Sequence, residues 1–284
     1  MSPPRLDVAL AAAGLARSRT HAQRIIAEGR ARIDGRAATR ASTPAPEGAQ
    51  LAVVDVPDGI EYASRAAHKL QGALEHLDLP VSGKHCLDAG ASTGGFTDVL
   101  LRHGAASVIA VDIGHDQLAA HLREDPRVTV HDGTSVRDLD PELIGGTVDL
   151  LVADLSFISL RTVMAPLACV VRTGGDLLLM VKPQFEVGRQ ALPRTGVVTD
   201  PTQRVRAVTE VARTAAREGL LLTGVGASTL PGQDGNREYF LHLRPTGHAT
   251  ELSDRACDMI GSVVNERHAP GPSRQITEGE GRAR

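Results

Sequence analysis

The 284-residue sequence has no tryptophan, two tyrosines and four phenylalanines. So little aromatic surface excludes a nucleic-acid binder that works chiefly by stacking bases on rings. Cysteine is equally scarce: Cys86, Cys169 and Cys257 lie far apart. Their spacing matches no metal knuckle or redox pair, so no metal is expected, and they read as reduced thiols of a cytoplasmic protein. No apolar run approaches the ~18 residues of a membrane span, and no signal-type apolar core follows Met1. Bulk positive charge is also missing, the net being −3.

The charge that is present is unevenly spread. Residues 1–45 carry eight arginines against Asp7, Glu28 and Asp34, a net of +5, which leaves −8 for the remainder. A basic module joined to an acidic one points to a polyanion contact confined to one end. Helical periodicity over 6–13 stops at Gly14; Ser18 can cap a second helix over 19–28, which stops at Gly29. Asp34-Gly35 then supplies the positive φ angles of a tight hairpin over 32–37, and 51–56 reads as a further short strand. Guanidiniums on so short a platform can fork onto phosphate oxygens and read RNA shape rather than base edges. The candidates are Arg5, Arg17, Arg19, Arg24 and Arg30, with Arg65 just beyond.

Past Pro57-Asp58-Gly59 the pattern changes. Apolar strand candidates at 86–88, 108–112, 128–130, 148–154, 177–182, 221–227 and 239–243 alternate with helical stretches at 64–77, 95–103, 117–123, 160–171 and 201–218. Such alternation argues an α/β fold, a doubly wound sheet with helices on both faces. No helix separates the last two strands, so they are expected as an antiparallel hairpin. The polar stretch 268–284 is expected to be disordered.

The sequence Asp88-Ala89-Gly90-Ala91-Ser92-Thr93-Gly94-Gly95-Phe96 follows the first of these strands and opens a helix. Gly90, Gly94 and Gly95 allow backbone to approach a ligand at the strand end where open α/β sheets bind one. Neither G-x-G-x-x-G nor a phosphate loop ending in Gly-Lys-Ser/Thr is present. The second strand ends in Asp112, where a carboxylate can accept hydrogen bonds from both hydroxyls of a ribose. The third ends at Asp132-Gly133, where an adenine edge could be met. The order of these three features favours a nucleoside cofactor.

Four further residues carry chemistry. Asp154 ends the fourth strand and Lys182 the fifth; Glu238 begins the last strand, and Lys69 sits on the helix that leads into the sheet. Singly, Lys69 could be a surface lysine and Glu238 a hairpin ion-pair partner. Together, the four resemble the Lys-Asp-Lys-Glu tetrad of FtsJ-type ribose 2′-O-methyltransferases. The first 60 residues resemble the S-four type RNA-binding domain. From Arg5 to about Arg244 the chain is similar to the TlyA family, once known as haemolysins and now as rRNA 2′-O-methyltransferases.

That resemblance implies a class I methyltransferase fold with a seven-stranded Rossmann-like sheet and a small N-terminal α+β domain. It implies S-adenosylmethionine as cofactor and ribosomal RNA, with cytidine the target, as substrate. Ribosomal subunits are then the partners, and neither DNA nor membrane is expected; the sequence leaves protein partners open. The expected division is an RNA-binding domain over 1–58, a linker over 59–63, a methyltransferase domain over 64–250 and an extension over 251–284. Lys182 is the expected base, and Lys69 a neighbouring cation. Asp154 and Glu238 would orient the two lysines. A base-methylating enzyme often shows Asn/Asp-Pro-Pro-aromatic after the fourth strand, whereas Asp154-Leu155-Ser156-Phe157 stands here. The competing readings are a non-catalytic ribosome-assembly factor on the same fold and a pore-forming haemolysin.

Overall fold

The computed structural model describes residues 3–16, 18–27, 29–46, 48–54, 62–232 and 235–266, with Arg24 described by its backbone alone. Arg17, most of the expected linker and the 268–284 tail lie outside the described residues.

The N-terminal unit pairs two helices, α1 (Leu6–Ala12) and α2 (Arg19–Ala27), with a small antiparallel sheet. Its strands are β1 (Ala31–Ile33), β2 (Arg36–Ala37) and β3 (Leu51–Val53), with β1 central. Asp34 and Gly35 make the β1–β2 turn at φ 49° and 76°, as the Asp-Gly pair predicts. Leu6, Leu10, Ala22, Ile25, Ile26 and Ala31 form its own small core.

From Ala66 onward the chain alternates. The elements are α3 (Ala66–His76), β4 (His85–Ala89), α4 (Gly95–Arg102), β5 (Ser107–Val111), α5 (Ala120–Arg123), β6 (Val128–His131) and β7 (Val148–Ala153). Then follow α6 (Met164–Cys169), β8 (Val171–Val181), α7 (Pro183–Glu186), α8 (Pro201–Arg217), β9 (Leu220–Ala227), β10 (Tyr239–Pro245) and α9 (Asp254–Asn265). The seven strands from β4 onward form one sheet in the order β6-β5-β4-β7-β8-β10-β9. All neighbours are parallel except β10, which runs antiparallel to both β8 and β9.

Side chains alternate between two layers, as strand geometry requires. Leu87, Leu151, Leu177 and Leu179 face α8 and α9, while Cys86, Leu150, Val152 and Leu178 face α3 and α4. Both faces are covered, which explains the nearly unbroken apolar runs of the central strands.

Five elements depart from the sequence expectation, the first being α7, where no helix was expected. The 117–123 stretch is helical only over Ala120–Arg123, and 160–171 divides into a 3-10 turn at Leu160–Thr162 and α6. β8 begins six residues early, at Val171, because its first half holds Gly174 and Gly175 and carries no apolar pattern. Within the expected extension, α9 packs on α8 and β9, burying Ala256, Ile260 and Val264 at helical spacing. Ser253 caps it, accepting from the Ala256 amide. Among the described residues no helix is long and apolar enough to cross a membrane.

Ile260 is fully buried in the same core as β7 and β8. Ile260→Ala is expected to cost about 3 kcal/mol and lower the melting temperature by roughly 6–12 °C. A thermal melt that does not move would show that α9 is not part of the folded domain.

Candidate active site

Two adjoining clefts open at the carboxyl edge of the sheet, where the strand order reverses between β4 and β7. One, of about 770 Å³, is lined by Lys69, Gly90 to Thr93, Asp154 and Lys182 among others. The second, of about 570 Å³, runs past Asp112 and Ile113 to Thr134–Arg137. Gly90, Ser92, Gln117, Asp154 and Ser156 line both.

The Gly-rich turn is shaped by contacts that admit no larger residue. Gly90 has φ 85°, and a Cβ there would meet the Asp154 carbonyl oxygen and Leu155 at 2.9 Å. Gly94 has φ 94° and begins α4; a Cβ on it would strike Leu118 and Leu122. A Cβ on Gly95 would strike Ser64 Oγ, so the segment entering α3 rests directly on this turn. Ala63 N donates to Asp98 Oδ2 at 2.8 Å and fastens the same segment to α4.

Asp88 is fully buried beneath the turn. Thr97 Oγ1 donates to its Oδ2 at 2.7 Å, while its Oδ1 has no hydrogen-bond partner. Burial pushes the Asp88 carboxyl up to about 7, aided by the nearby Asp154 charge and opposed by Thr97. Asp112 accepts from Ser92 N at 2.8 Å and Gly114 N at 2.7 Å, one bond on each oxygen, which leaves further lone pairs on the carboxylate. Asp132 and Gly133 line neither cleft. Arg123 Nη2 engages Asp132 at 2.7 Å, and Gly133 abuts His115. The wall expected at Asp132-Gly133 is instead Thr134 to Arg137.

The four chemistry-bearing residues form two ion pairs. Lys182 Nζ lies 2.6 Å from Asp154 Oδ1 and donates to Ser156 Oγ at 2.8 Å. Lys69 Nζ donates to Glu238 Oε2 at 2.5 Å, with both residues buried. Lys69, Asp154 and Lys182 line the larger cleft; Glu238 stands behind Lys69, in space that Gly232 leaves open for it. The α3 helix reaches this pair because Gly72 lets Thr229 pack closely and Thr229 Oγ1 donates to the His68 carbonyl. Arg65 also lines the cleft and donates through Nη2 to Pro231 O.

On the N-terminal unit, Arg5 and Arg19 meet at one buried carboxylate. Asp7 accepts from Arg5 Nε at 3.0 Å, Arg19 Nε at 2.9 Å and Gln23 Nε2 at 2.8 Å. Arg5, first, then Gln23 and Arg19 hold the Asp7 carboxyl well below the usual carboxylate range, against its burial. Two guanidiniums on one carboxylate keep a net positive charge and a fixed aim. Arg30 Nε donates to Val54 O and braces the end of β3. Sequence reasoning missed Asp7, Ser156, Gln117, Thr97 and Asp98. Thr97 and Asp98 directly follow Phe96, Asp7 stands two residues after Arg5 and Ser156 two after Asp154, all of them residues it had marked; Gln117 stands apart from any.

Comparison with known proteins shows the family of both units. The FtsJ-like methyltransferase model matches residues 62–245, and the S4 domain model matches residues 4–51. The chain belongs to the TlyA family of FtsJ-like methyltransferases. It is 52% identical to the 16S/23S rRNA (cytidine-2′-O)-methyltransferase TlyA of Mycobacterium tuberculosis, over 94% of this chain and 98% of that one. Hemolysin A of Brachyspira hyodysenteriae is 34% identical over 84% of this chain and 99% of its own length. A hemolysin-labelled structure from Streptococcus thermophilus superimposes with a TM-score of 0.72 at 32% identity, covering 93% of this chain and 95% of that chain.

Enzymes of this family use S-adenosylmethionine, and the residues present fit it. Gly90 and Gly94 have no room for a side chain, and Asp112 lines the second cleft with acceptor capacity left for ribose hydroxyls; Asp88, expected at the cofactor, lies beneath the turn and lines neither cleft. Asp88 also makes the fold sensitive to pH. An unfolded aspartate ionises near ~4. Between there and about 7 the native state keeps a proton that the unfolded chain has lost, so Asp88 lowers stability as pH rises through that window. Asp88→Asn removes this dependence. Its melting temperature should gain on the wild type by about 5 °C between pH 5 and pH 8, read from paired melts without cofactor. A gap that stays constant with pH would remove Asp88 as the titrating group.

Proposed function

We infer that this chain methylates the ribose 2′-hydroxyl of cytidine in ribosomal RNA, in the small subunit, the large subunit or both. The observation that carries the reading is the pairing of two lysines with two carboxylates at one cleft shared with the glycine turn. The 52% identity to the Mycobacterium tuberculosis rRNA methyltransferase and the match to the S4 domain support the rRNA substrate. Residues 1–58 would bind RNA, 59–63 link, and 64–250 catalyse; a cytoplasmic location follows from where ribosomal subunits are met.

S-adenosylmethionine supplies an electrophilic methyl carbon on a sulfonium whose sulfur departs neutral. The protein must therefore provide orientation and a destination for one proton. Lys182, in its neutral form, takes the 2′-hydroxyl proton as the oxygen attacks in line. Asp154 and Ser156 hold its amine in one direction. Lys69, anchored by Glu238, faces the same cleft and positions the ribose or its phosphate. Holding the hydroxyl in line with the methyl carbon supplies much of the rate. Arg5 and Arg19, aimed by Asp7, grip phosphates beside the cleft, which Thr20 and Gln23 of the Arg19 helix line.

The test is tritium transfer from labelled S-adenosylmethionine to unmodified 30S and 50S subunits. Label is expected in rRNA, with the methylated phosphodiester resistant to alkali. Lys182→Ala should lower the rate by ~100-fold or more without weakening cofactor binding. Label that leaves every phosphodiester alkali-labile would mean base methylation. Cofactor binding with no label in either subunit would favour the assembly-factor reading.

A further inference from the structure

Two loops bring the reacting groups together. One leaves β7 with Asp154 and runs to the 3-10 turn at Leu160–Thr162; the other leaves β8 with Lys182 and forms α7. They touch at their reactive ends through Lys182, Asp154 and Ser156. They are tied a second time, four to five residues further along, by Glu186. This residue is buried, 6% exposed. Its Oε2 accepts from Ser159 Oγ at 2.6 Å, and its Oε1 accepts from Leu160 N at 2.7 Å. Arg161 Nε lies 3.3 Å from Oε2, while Arg161 Nη2 donates to the Glu186 carbonyl at 3.1 Å.

Every bond in this group crosses from one loop to the other. The Glu186 carboxylate takes two contacts on Oε2 and one on Oε1, all from Ser159 to Arg161, and it lines neither cleft. Between the two ties lies Phe157, with φ 63° and its ring 5.3 Å from Phe185. A non-glycine residue holds that conformation only when the flanking chain over-determines it. The flanks here are the Lys182 contacts on one side and the Glu186 contacts on the other.

We propose that Glu186 is a positioning residue for methyl transfer: its carboxylate clasps the loop of Asp154 to the loop of Lys182 and thereby fixes the direction of the Lys182 amine. The proposal rests on the reading of Lys182 as base. Glu186 lines neither cleft, so its loss should leave cofactor and RNA binding in place. A displacement of the order of an ångström at a reacting amine is enough to cost ~100-fold in rate.

The experiment compares wild type, Glu186→Gln, Ser159→Ala, the double variant and Lys182→Ala on unmodified subunits. The readouts are kcat, KM for subunits, Kd for S-adenosylmethionine and melting temperature. Glu186→Gln is expected to lower kcat by ~10-fold to ~100-fold, with KM and Kd within about threefold of wild type. Ser159→Ala should lower kcat less, and the double variant should be no slower than Glu186→Gln alone, since both act through one clasp. Where Glu186→Gln does not fold, Ser159→Ala decides alone: a slower kcat at unchanged Kd and melting temperature supports the clasp, and wild-type kcat overturns it. Wild-type kcat in Glu186→Gln beside an inactive Lys182→Ala overturns the clasp and spares the base. An active Lys182→Ala overturns both.

Discussion

The site depends on one topological constraint, the direction of β10. A sheet with all strands parallel would carry the start of its last strand to the far edge from Lys182. Here β10 lies between β8 and β9 and runs against both, pairing Tyr239 with Val181. The residue before Tyr239 and the residue after Val181 therefore stand at the same edge, which sets Glu238 level with Lys182. The reversal of strand order between β4 and β7 brings the glycine turn and Asp154 to that edge as well. Five strand ends and one helix, α3, thus supply groups to a single region without any strand leaving the sheet.

Burial raises the cost of charge at this edge, and the structure offsets it unequally. Lys69 and Glu238 are desolvated together and satisfy each other; breaking such a pair from one side leaves an isolated buried charge. Asp88 has Thr97 beside it but no cation, so burial raises its carboxyl instead. On the proposed reading, a pair that positions substrate must be complete before substrate arrives; Asp88 lines neither cleft and stays under-satisfied beneath the glycine turn.

Much of this was legible in the sequence, for a common reason: strand ends carry their message in a few residues. Asp88, Gly90, Asp112, Asp154 and Lys182 each close an apolar run, and the sheet collects such ends. The Asp34-Gly35 turn was equally local. What stayed hidden was contact between segments distant in sequence. Nothing near Asp7 shows that it gathers Arg5, Arg19 and Gln23, and nothing near Glu186 shows that its partners lie at Ser159 to Arg161. The first half of β8 was hidden for another reason. β8 pairs with β7 at Val171 and again from Asp176, and the residues between, Arg172 to Gly175, bulge opposite Asp149 alone, so they carry no strand pattern of their own. For α9 the signal existed, in Ala256, Ile260 and Val264, but the polar residues on its other face made the stretch read as an extension.

Charge gives the two units unequal parts in meeting RNA. Beyond residue 45 the chain carries −8, and the four residues of the tetrad sum to zero when both pairs are ionised. Such a surface repels a polyphosphate at long range, whereas the first 45 residues carry +5. On the proposed reading, encounter is therefore the work of the N-terminal unit, and tethering converts the second contact into an intramolecular one. That division frees the cleft from having to attract RNA by charge. A strongly basic cleft would speed association, yet it would also bind phosphate wherever it met it and hold many nucleotides equally. A neutral pair of clamps gains little from phosphate alone and rewards a ribose presented in one orientation, so selectivity for the reacting nucleotide can rest on geometry at the cleft while affinity rests on the arginines.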